Sequence, residues 1–213
     1  GTVDKTTFSL LLMIGSGYYV YTEQIVSLIL PGCLLGLAVA IFTIFKKQYS
    51  PITVPIYALF QGLFLGGISF MYGQMYEGIV YNAVLLTVTI LLSLLLVYRS
   101  GLIKPTENFK LGIFAATGGI ALFYIISFVA SFFGGGLAIF DPTNGSMTSI
   151  LVSLFIVIIA SLNLVLDFDF IEEASENGAP KYMEWYGAFG LLVTLVWLYL
   201  EILRLLAKIN SRD

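Results

Sequence analysis

The sequence predicts an all-α integral membrane protein, a seven-transmembrane-helix bundle in one domain that covers residues 1–213. Of its 213 residues, 59% are hydrophobic and only 11% are charged, whereas soluble domains carry about 25% charged residues. A soluble fold of this size cannot bury so much apolar surface, so the excess must face lipid. The apolar residues also gather in segments of about 20 residues, the length that a helix needs to cross a bilayer.

The first four predicted spans are separated by interfacial, basic or helix-starting residues. The first ends in a tyrosine-rich stretch around Tyr19, which favours the membrane–water interface. The second ends at Lys46 and Lys47, and the dipeptide Ser50-Pro51 is typical of the cap and first residue of a helix, here the third. These four spans cover residues 6–22, 25–45, 51–73 and 79–98.

The last three predicted spans are bounded by turn and cap signals. The run Pro105-Thr106-Glu107 precedes the fifth span, Gly134-Gly135-Gly136 ends it, and Asn144-Gly145-Ser146 precedes the sixth. The three spans cover residues 110–133, 148–168 and 185–207.

Small residues occur in pairs at four-residue spacing in three of the predicted helices. Small side chains let helix backbones approach closely, so we interpret these pairs as sites of helix packing. They are Gly32 with Gly36, Gly62 with Gly66, and Ala115 with Gly119.

The distribution of basic residues predicts the orientation of the chain. Most of them lie at the N-terminus and in the connectors after the second, fourth and sixth helices. These are Lys5, Lys46, Lys47, Arg99, Lys104, Lys110 and Lys181, against Arg204, Lys208 and Arg212 on the opposite side. Because basic residues are enriched on the cytoplasmic side of membrane proteins, we expect a cytoplasmic N-terminus and an external C-terminus.

The composition excludes several classes of function. The chain has no histidine, which excludes Ser-His triads and histidine-ligated zinc. Its single cysteine, Cys33, cannot form an internal disulfide, and a net charge of -3 argues against nucleic acid as a partner. No motif for a nucleotide, haem or flavin is present, and the Gly-x-Gly-Asp motif of intramembrane aspartyl proteases is missing. We therefore expect neither an enzyme nor a bound cofactor.

The sixth helix carries a stripe of small and polar residues in an otherwise apolar sequence. Ionisable groups inside a bilayer are costly, which makes them the first candidates for function. Asp169 lies about 200° round the helix from Asp167 and so belongs to another face. The stripe consists of Ser149, Ser153, Ala160, Asn163 and Asp167.

The seventh helix offers two candidate partners for Asp167. Thr194 and Glu201 lie on one face of this helix, together with Gly187 and Gly190. If the helix enters the bilayer near Tyr186, Glu201 lies about 22 Å further along it, which favours Thr194 as the residue at the level of Asp167. Arg204 follows Glu201 by three positions and can pair with it.

Two runs in the last two helices resemble the Bax inhibitor family, also called the transmembrane Bax inhibitor motif or YccA-like family. They are Leu166-Asp167-Phe168-Asp169-Phe170-Ile171 and the run of residues 197–206, WLYLEILRLL. The resemblance implies seven helices with a central C-terminal helix. It also implies a calcium leak gated by pH through two aspartates, one on the sixth helix and one on the seventh.

Asp167 matches the aspartate of the sixth helix, and the match on the seventh helix is open. Aligning Leu198-Tyr199-Leu200-Glu201 with the acidic motif of the family makes Glu201 the partner. Aligning on Arg204 instead places Thr194 there, which breaks the carboxylate pair. Other bacterial relatives interact with membrane proteases, so a non-conducting regulatory protein with such a partner is the alternative function.

The expected function is a pH-modulated cation leak channel, permeable to Ca²⁺, in the inner membrane of a bacterium. Asp167 would bind transient Ca²⁺, since hard cations prefer oxygen ligands. The residues expected to form the ion pathway or sense pH are Asp167, Asp169, Glu201, Asn163 and Thr194. The bases expected to act as a latch are Lys46, Lys47 and Arg204.

Overall fold

The structure, a computed structural model, describes residues 1–213 and contains only helices and their connectors. Three short 3-10 turns, Val26–Leu28, Lys47–Tyr49 and Ala138–Phe140, lie between the long helices. The seven long helices are α1 (Thr2–Glu23), α2 (Ile29–Phe45), α3 (Ser50–Met75), α4 (Ile79–Arg99), α5 (Glu107–Phe132), α6 (Met147–Glu176) and α7 (Tyr182–Asn210).

Six of these helices, α2 to α7, are long and apolar enough to cross a membrane. The chain is therefore an all-α integral membrane protein. The helix outside this group is α1, which has Asp4 and Lys5 in its first turn and hydroxyl side chains along its length.

Helices α6 and α7 extend beyond the predicted limits. Residues after 168 continue α6 to Glu176, because none of them is a glycine or proline that would interrupt the helical hydrogen bonds. The helix ends just before Gly178, which adopts the left-handed conformation with φ of 63°, and Pro180 follows. Glu172 and Glu173 are consequently exposed residues of a helix rather than of a loop.

The chain forms two compact units, of which unit 1 comprises Gly1–Val80 and Asp167–Val196. Within unit 1, α3 packs against α1 and α2. A Cβ atom added to Gly66 would lie 2.3 Å from the backbone oxygen of Gly17, and one added to Gly32 would lie 2.9 Å from that of Phe60. Two of the predicted small-residue pairs thus lie where backbones meet.

One end of unit 1 is held together by residues near the N-terminus. Lys5 of α1 forms an ion pair with Glu184 of α7, and Phe8 packs edge-on against Trp185. Lys47 lies 4.8 Å from the ring centre of Tyr186. The start of α1, the α2–α3 connector and the start of α7 therefore meet at this end.

Unit 2 comprises Tyr81–Leu166 and Trp197–Asp213. Its core joins α5 to α6 through isoleucines that include Ile113 and Ile156. The third small-residue pair behaves differently from the other two, because Ala115 is exposed and a Cβ atom on Gly119 would meet nothing within 4 Å. The expected packing within the chain is absent there, since a small-residue pattern does not reveal what lies opposite it.

Candidate functional site

Asp167 lies on α6 within unit 1 and faces two small residues of α7. The Thr194 hydroxyl lies close enough to its carboxylate to interact with it. A Cβ atom added to Gly190 would lie 3.2 Å from Asp167 Oδ1, so the missing side chain of this glycine leaves room for the carboxylate. The structure therefore brings Asp167 and Thr194 together, as the alignment on Arg204 implies.

The second carboxylate oxygen of Asp167, Oδ2, is buried and has no hydrogen-bond partner. An unsatisfied buried polar atom costs roughly 1–3 kcal/mol, and more when it is charged. Asp167 also lacks an ion pair, because Lys47 lies over Tyr186 and Lys46 is exposed without a carboxylate partner. The carboxylate is thus arranged to accept a proton, a water molecule or a cation.

Glu201 belongs to a separate cluster, within unit 2. Its side chain is only 3% exposed and accepts a hydrogen bond from the Tyr124 hydroxyl. Arg204 Nη1 lies 3.0 Å from Glu201 Oε1, so the predicted pair within α7 is present. Trp197 Nε1 donates to the Tyr124 hydroxyl at 3.4 Å.

No pattern in the sequence identifies Tyr124, although this residue of α5 completes the Glu201 cluster. Finding it required knowing which face of α5 meets α7. Arg204 also lies 5.6 Å from the ring centre of Phe140, a distance at which a cation is attracted to an aromatic face. The Glu201 carboxylate is therefore compensated by two direct neighbours, Tyr124 and Arg204, unlike that of Asp167.

A cavity of about 480 Å³ adjoins this cluster in unit 2. Its lining includes Tyr124, Ser127, Arg204 and, on the α5–α6 connector, Asp141. Hydrogen bonds from the hydroxyl and backbone N–H of Thr143 hold the pKa of the Asp141 carboxyl below its usual range. The cavity consequently has an ionised carboxylate in its wall at neutral pH.

The other polar residues of the α6 stripe form structural hydrogen bonds in unit 2. Asn163 donates to the Thr117 hydroxyl and to the backbone oxygen of Ile159, both at 2.9 Å. Ser153 accepts a hydrogen bond of 2.7 Å from the fully buried Lys208 ammonium. Asn163, one of the predicted pathway residues, therefore ties α6 to α5.

No cluster of acidic, cysteine or histidine side chains surrounds Asp167. Ca²⁺ takes six to eight oxygen ligands, and no group of three or more acidic, cysteine or histidine side chains gathers anywhere in the chain. Asp169, which was also predicted as a pathway residue, is partly buried on α6.

Comparison with known proteins identifies the family of this chain. Searches of curated proteins and of solved structures find no significant match. The profile of the family described as "Bax inhibitor 1 like" matches residues 1–211. This match covers both units and every long helix, and the chain therefore belongs to the Bax inhibitor 1 like family.

Proposed function

We propose that this protein is a seven-span cation leak channel, permeable to Ca²⁺ and modulated by pH, in the inner membrane of a bacterium. The proposal rests on the Asp167 Oδ2 atom, which belongs to a membrane-spanning helix, is buried and has no hydrogen-bond partner. Polar atoms at membrane depth are kept where they serve a pathway, because lipid cannot satisfy them.

Asp167 is the residue to which we assign the pH response. A carboxylate offers the oxygen atoms that a hard cation prefers, and a protonated carboxyl group loses both the charge and part of this capacity. The chain contains no histidine that could titrate in its place. With Thr194 opposite it, Asp167 senses pH as a single carboxylate rather than as one of a pair.

In this proposal, the exposed acidic residues at the end of α6 line the cytoplasmic entrance of the channel. Glu172, Glu173 and Glu176 are all exposed, and clustered negative charge raises the local concentration of cations. Replacing all three by glutamine should lower the flux mainly at low ionic strength, since salt screens exposed charges.

Flux of Ca²⁺ into liposomes that contain the purified protein tests the proposal. Asp167→Asn preserves size and removes the charge, so we expect a changed flux and a flatter pH profile between about pH 5 and 8. Asp4→Asn is the matched control, because the Asp4 side chain is 86% exposed. A folded Asp167→Asn protein with the flux and pH profile of wild type would contradict the assignment.

Glu201→Gln, measured in parallel, tests which residue of α7 matters for the response. The Glu201 carboxylate is compensated by Tyr124 and Arg204. Removing its charge should therefore lower the melting temperature and leave the pH profile of Ca²⁺ flux unchanged. A pH response that disappears in Glu201→Gln alone would move the site to unit 2.

A non-conducting regulatory protein is the second candidate function. It is favoured by the exposed face of α5, where a Cβ atom on Gly112, Gly118 or Gly119 would meet nothing within 4 Å. Such a surface permits the close approach of a helix from another membrane protein, for example a membrane protease. Absent flux in liposomes, together with co-purification of a membrane protease that Gly119→Leu abolishes, would favour this function.

A further inference from the structure

We propose that Ser9 of α1 and Gln61 of α3 line a hydrated track in unit 1 that leads to Asp167, and that Gln61 sets the cation preference there. The part of this inference that concerns cation preference rests on the proposed channel function. Its first test is independent of flux, because it measures access of water to two side chains that the structure buries.

Unsatisfied buried oxygens are the first observation. Three buried side-chain polar atoms in the whole chain lack a hydrogen-bond partner: Ser9 Oγ, Gln61 Oε1 and Asp167 Oδ2. Ser9 is 0% exposed and Gln61 is 8% exposed. Such atoms are rare in native proteins and are commonly explained by water or an ion. All three belong to unit 1.

Other buried hydroxyls of the same unit are satisfied. Thr43 of α2 and Thr53 of α3 hydrogen-bond each other at 2.8 Å, and Ser50 donates to the backbone oxygen of Lys47. The unsatisfied oxygens are therefore confined to single positions on α1, α3 and α6. They do not reflect a general lack of hydrogen bonds among the hydroxyl residues of the unit.

A chain of contacts connects Gln61 with Asp167. Tyr57 precedes Gln61 by one helical turn, on the same face of α3, and its ring centre lies 5.1 Å from that of Phe189 in α7. The next residue of α7, Gly190, is the one that lies against the Asp167 carboxylate. Gln61 and Asp167 thus lie on either side of the contact between α3 and α7, inside unit 1.

Ser9 reaches the same interior from α1. Gly62, which follows Gln61, packs so closely on α1 that its added Cβ atom would lie 2.3 Å from the backbone oxygen of Met13. Ser9 precedes Met13 by one turn and shares its face of α1. The amide of Gln61 is held against Gly36 of α2, where an added Cβ atom would lie 2.6 Å from Nε2.

The chemistry of these groups suits a hydrated cation. A hydroxyl, an amide and a carboxylate each present oxygen lone pairs, and each can also bind water. Gln61 is the neutral member whose replacement by glutamate would add a second negative charge to the track. The neutral amide therefore limits the attraction of divalent relative to monovalent cations.

Reaction with a small charged thiol reagent tests the hydration of the track. In a Cys33→Ser background, Ser9→Cys and Gln61→Cys should react with aminoethyl methanethiosulfonate at least about ten-fold faster than Ala58→Cys, because only a solvated thiol ionises readily. Ala58 is the matched control, since it is 0% exposed on α3. Equal, slow labelling of all three variants would overturn the inference.

Flux measurements then test the role of Gln61 in cation preference. Gln61→Leu should retain its melting temperature, because an apolar side chain replaces an unsatisfied one, and should lower cation flux several-fold. Gln61→Glu should raise the ratio of Ca²⁺ to K⁺ flux, while the control Thr53→Val should leave that ratio unchanged. Unchanged flux and ratio in both Gln61 variants would refute its role.

The two proposals fail in distinguishable ways. Rapid labelling at Ser9→Cys and Gln61→Cys, combined with no flux through the wild-type protein, would establish the track and overturn the channel function. Flux through wild type without labelling would support the channel and remove Ser9 and Gln61 from its pathway.

Discussion

At the scale of single residues, the surroundings of two acidic side chains assign them different roles. Glu201 has a hydroxyl donor in Tyr124 and a guanidinium partner in Arg204, so its charge is used to hold unit 2 together. Asp167 has the Thr194 hydroxyl beside it and an oxygen with no hydrogen-bond partner. In the proposed channel, the carboxylate that the protein leaves incompletely satisfied is the one available to a transported ion or proton.

Gly190→Ala tests how tightly the Asp167 carboxylate is positioned. The added methyl group would lie 3.2 Å from Oδ1, so the carboxylate must move by a few tenths of an ångström. We expect a changed pH profile of Ca²⁺ flux with a loss of stability of about 1 kcal/mol, at the low end for overpacking. Gly118→Ala, which meets nothing within 4 Å, is the control, and a wild-type profile in Gly190→Ala would show that this contact is unimportant.

At the scale of helices, the same small-residue pattern has two outcomes. On α3 the glycines meet the backbone of α1, whereas on α5 they meet no atom of the chain. Four-residue spacing indicates a smooth helix face but does not identify its neighbour. Which helix face is covered depends on which helices are neighbours in the folded chain, and local sequence does not determine this.

Alanine substitutions distinguish the two kinds of glycine. Gly66→Ala places a methyl group 2.3 Å from the Gly17 backbone oxygen, and we expect it to destabilise the protein by about 1–3 kcal/mol through overpacking. Gly119→Ala enters open space and should stabilise α5 by up to about 1 kcal/mol through helix propensity. Melting temperatures in detergent should move in opposite directions, and a fall in both would mean that α5 is covered in solution.

Lys208 in the last turn of α7 joins the α5–α6 connector to α6. Its ammonium is fully buried and donates to the backbone oxygens of Ile139 and Ser149 and to the Ser153 hydroxyl. Lys208→Met retains the aliphatic stem and leaves these oxygens without their donor. We therefore expect the free energy of unfolding to fall by about 2–4 kcal/mol, several times the net contribution of one hydrogen bond. Arg212→Met is the exposed control; equal melting temperatures for both variants would contradict a structural role for Lys208.

At the scale of the whole molecule, the sequence predicted the helices well and their partners poorly. Hydropathy predicts α2 to α7, because apolar runs of this length are dictated by the bilayer. The first predicted span is a helix too, α1, but lies outside this apolar group. The end of α6 was placed too early, since membrane thickness does not limit a helix that continues into water. Asp167 is predicted from its place at the end of a polar stripe in an apolar helix, whereas Tyr124 lies 77 residues from Glu201 and no local pattern connects them.

Reporter fusions test the topology of the whole chain. Fusions after Lys47 and Arg99 should read as cytoplasmic and a fusion after Asn210 as external, because basic residues are enriched in cytoplasmic connectors. A fusion after Glu77, in the α3–α4 connector, provides an external control. A cytoplasmic C-terminus with the other fusions unchanged would mean that one of α5 to α7 does not cross. Inverted readings at every fusion would instead identify α1 as the helix that does not cross.

The division of the chain between the two units has a consequence for biosynthesis. Each unit takes its last segment from α7, which runs from Tyr182 to Asn210. Neither unit can therefore close until α7 has been synthesised, and at about 5–20 residues per second the first three helices wait on the order of ten seconds for this helix. During that interval Tyr57 of α3 lacks its contact with Phe189 of α7, so a nascent chain stalled before residue 182 should be a preferred substrate for membrane quality control.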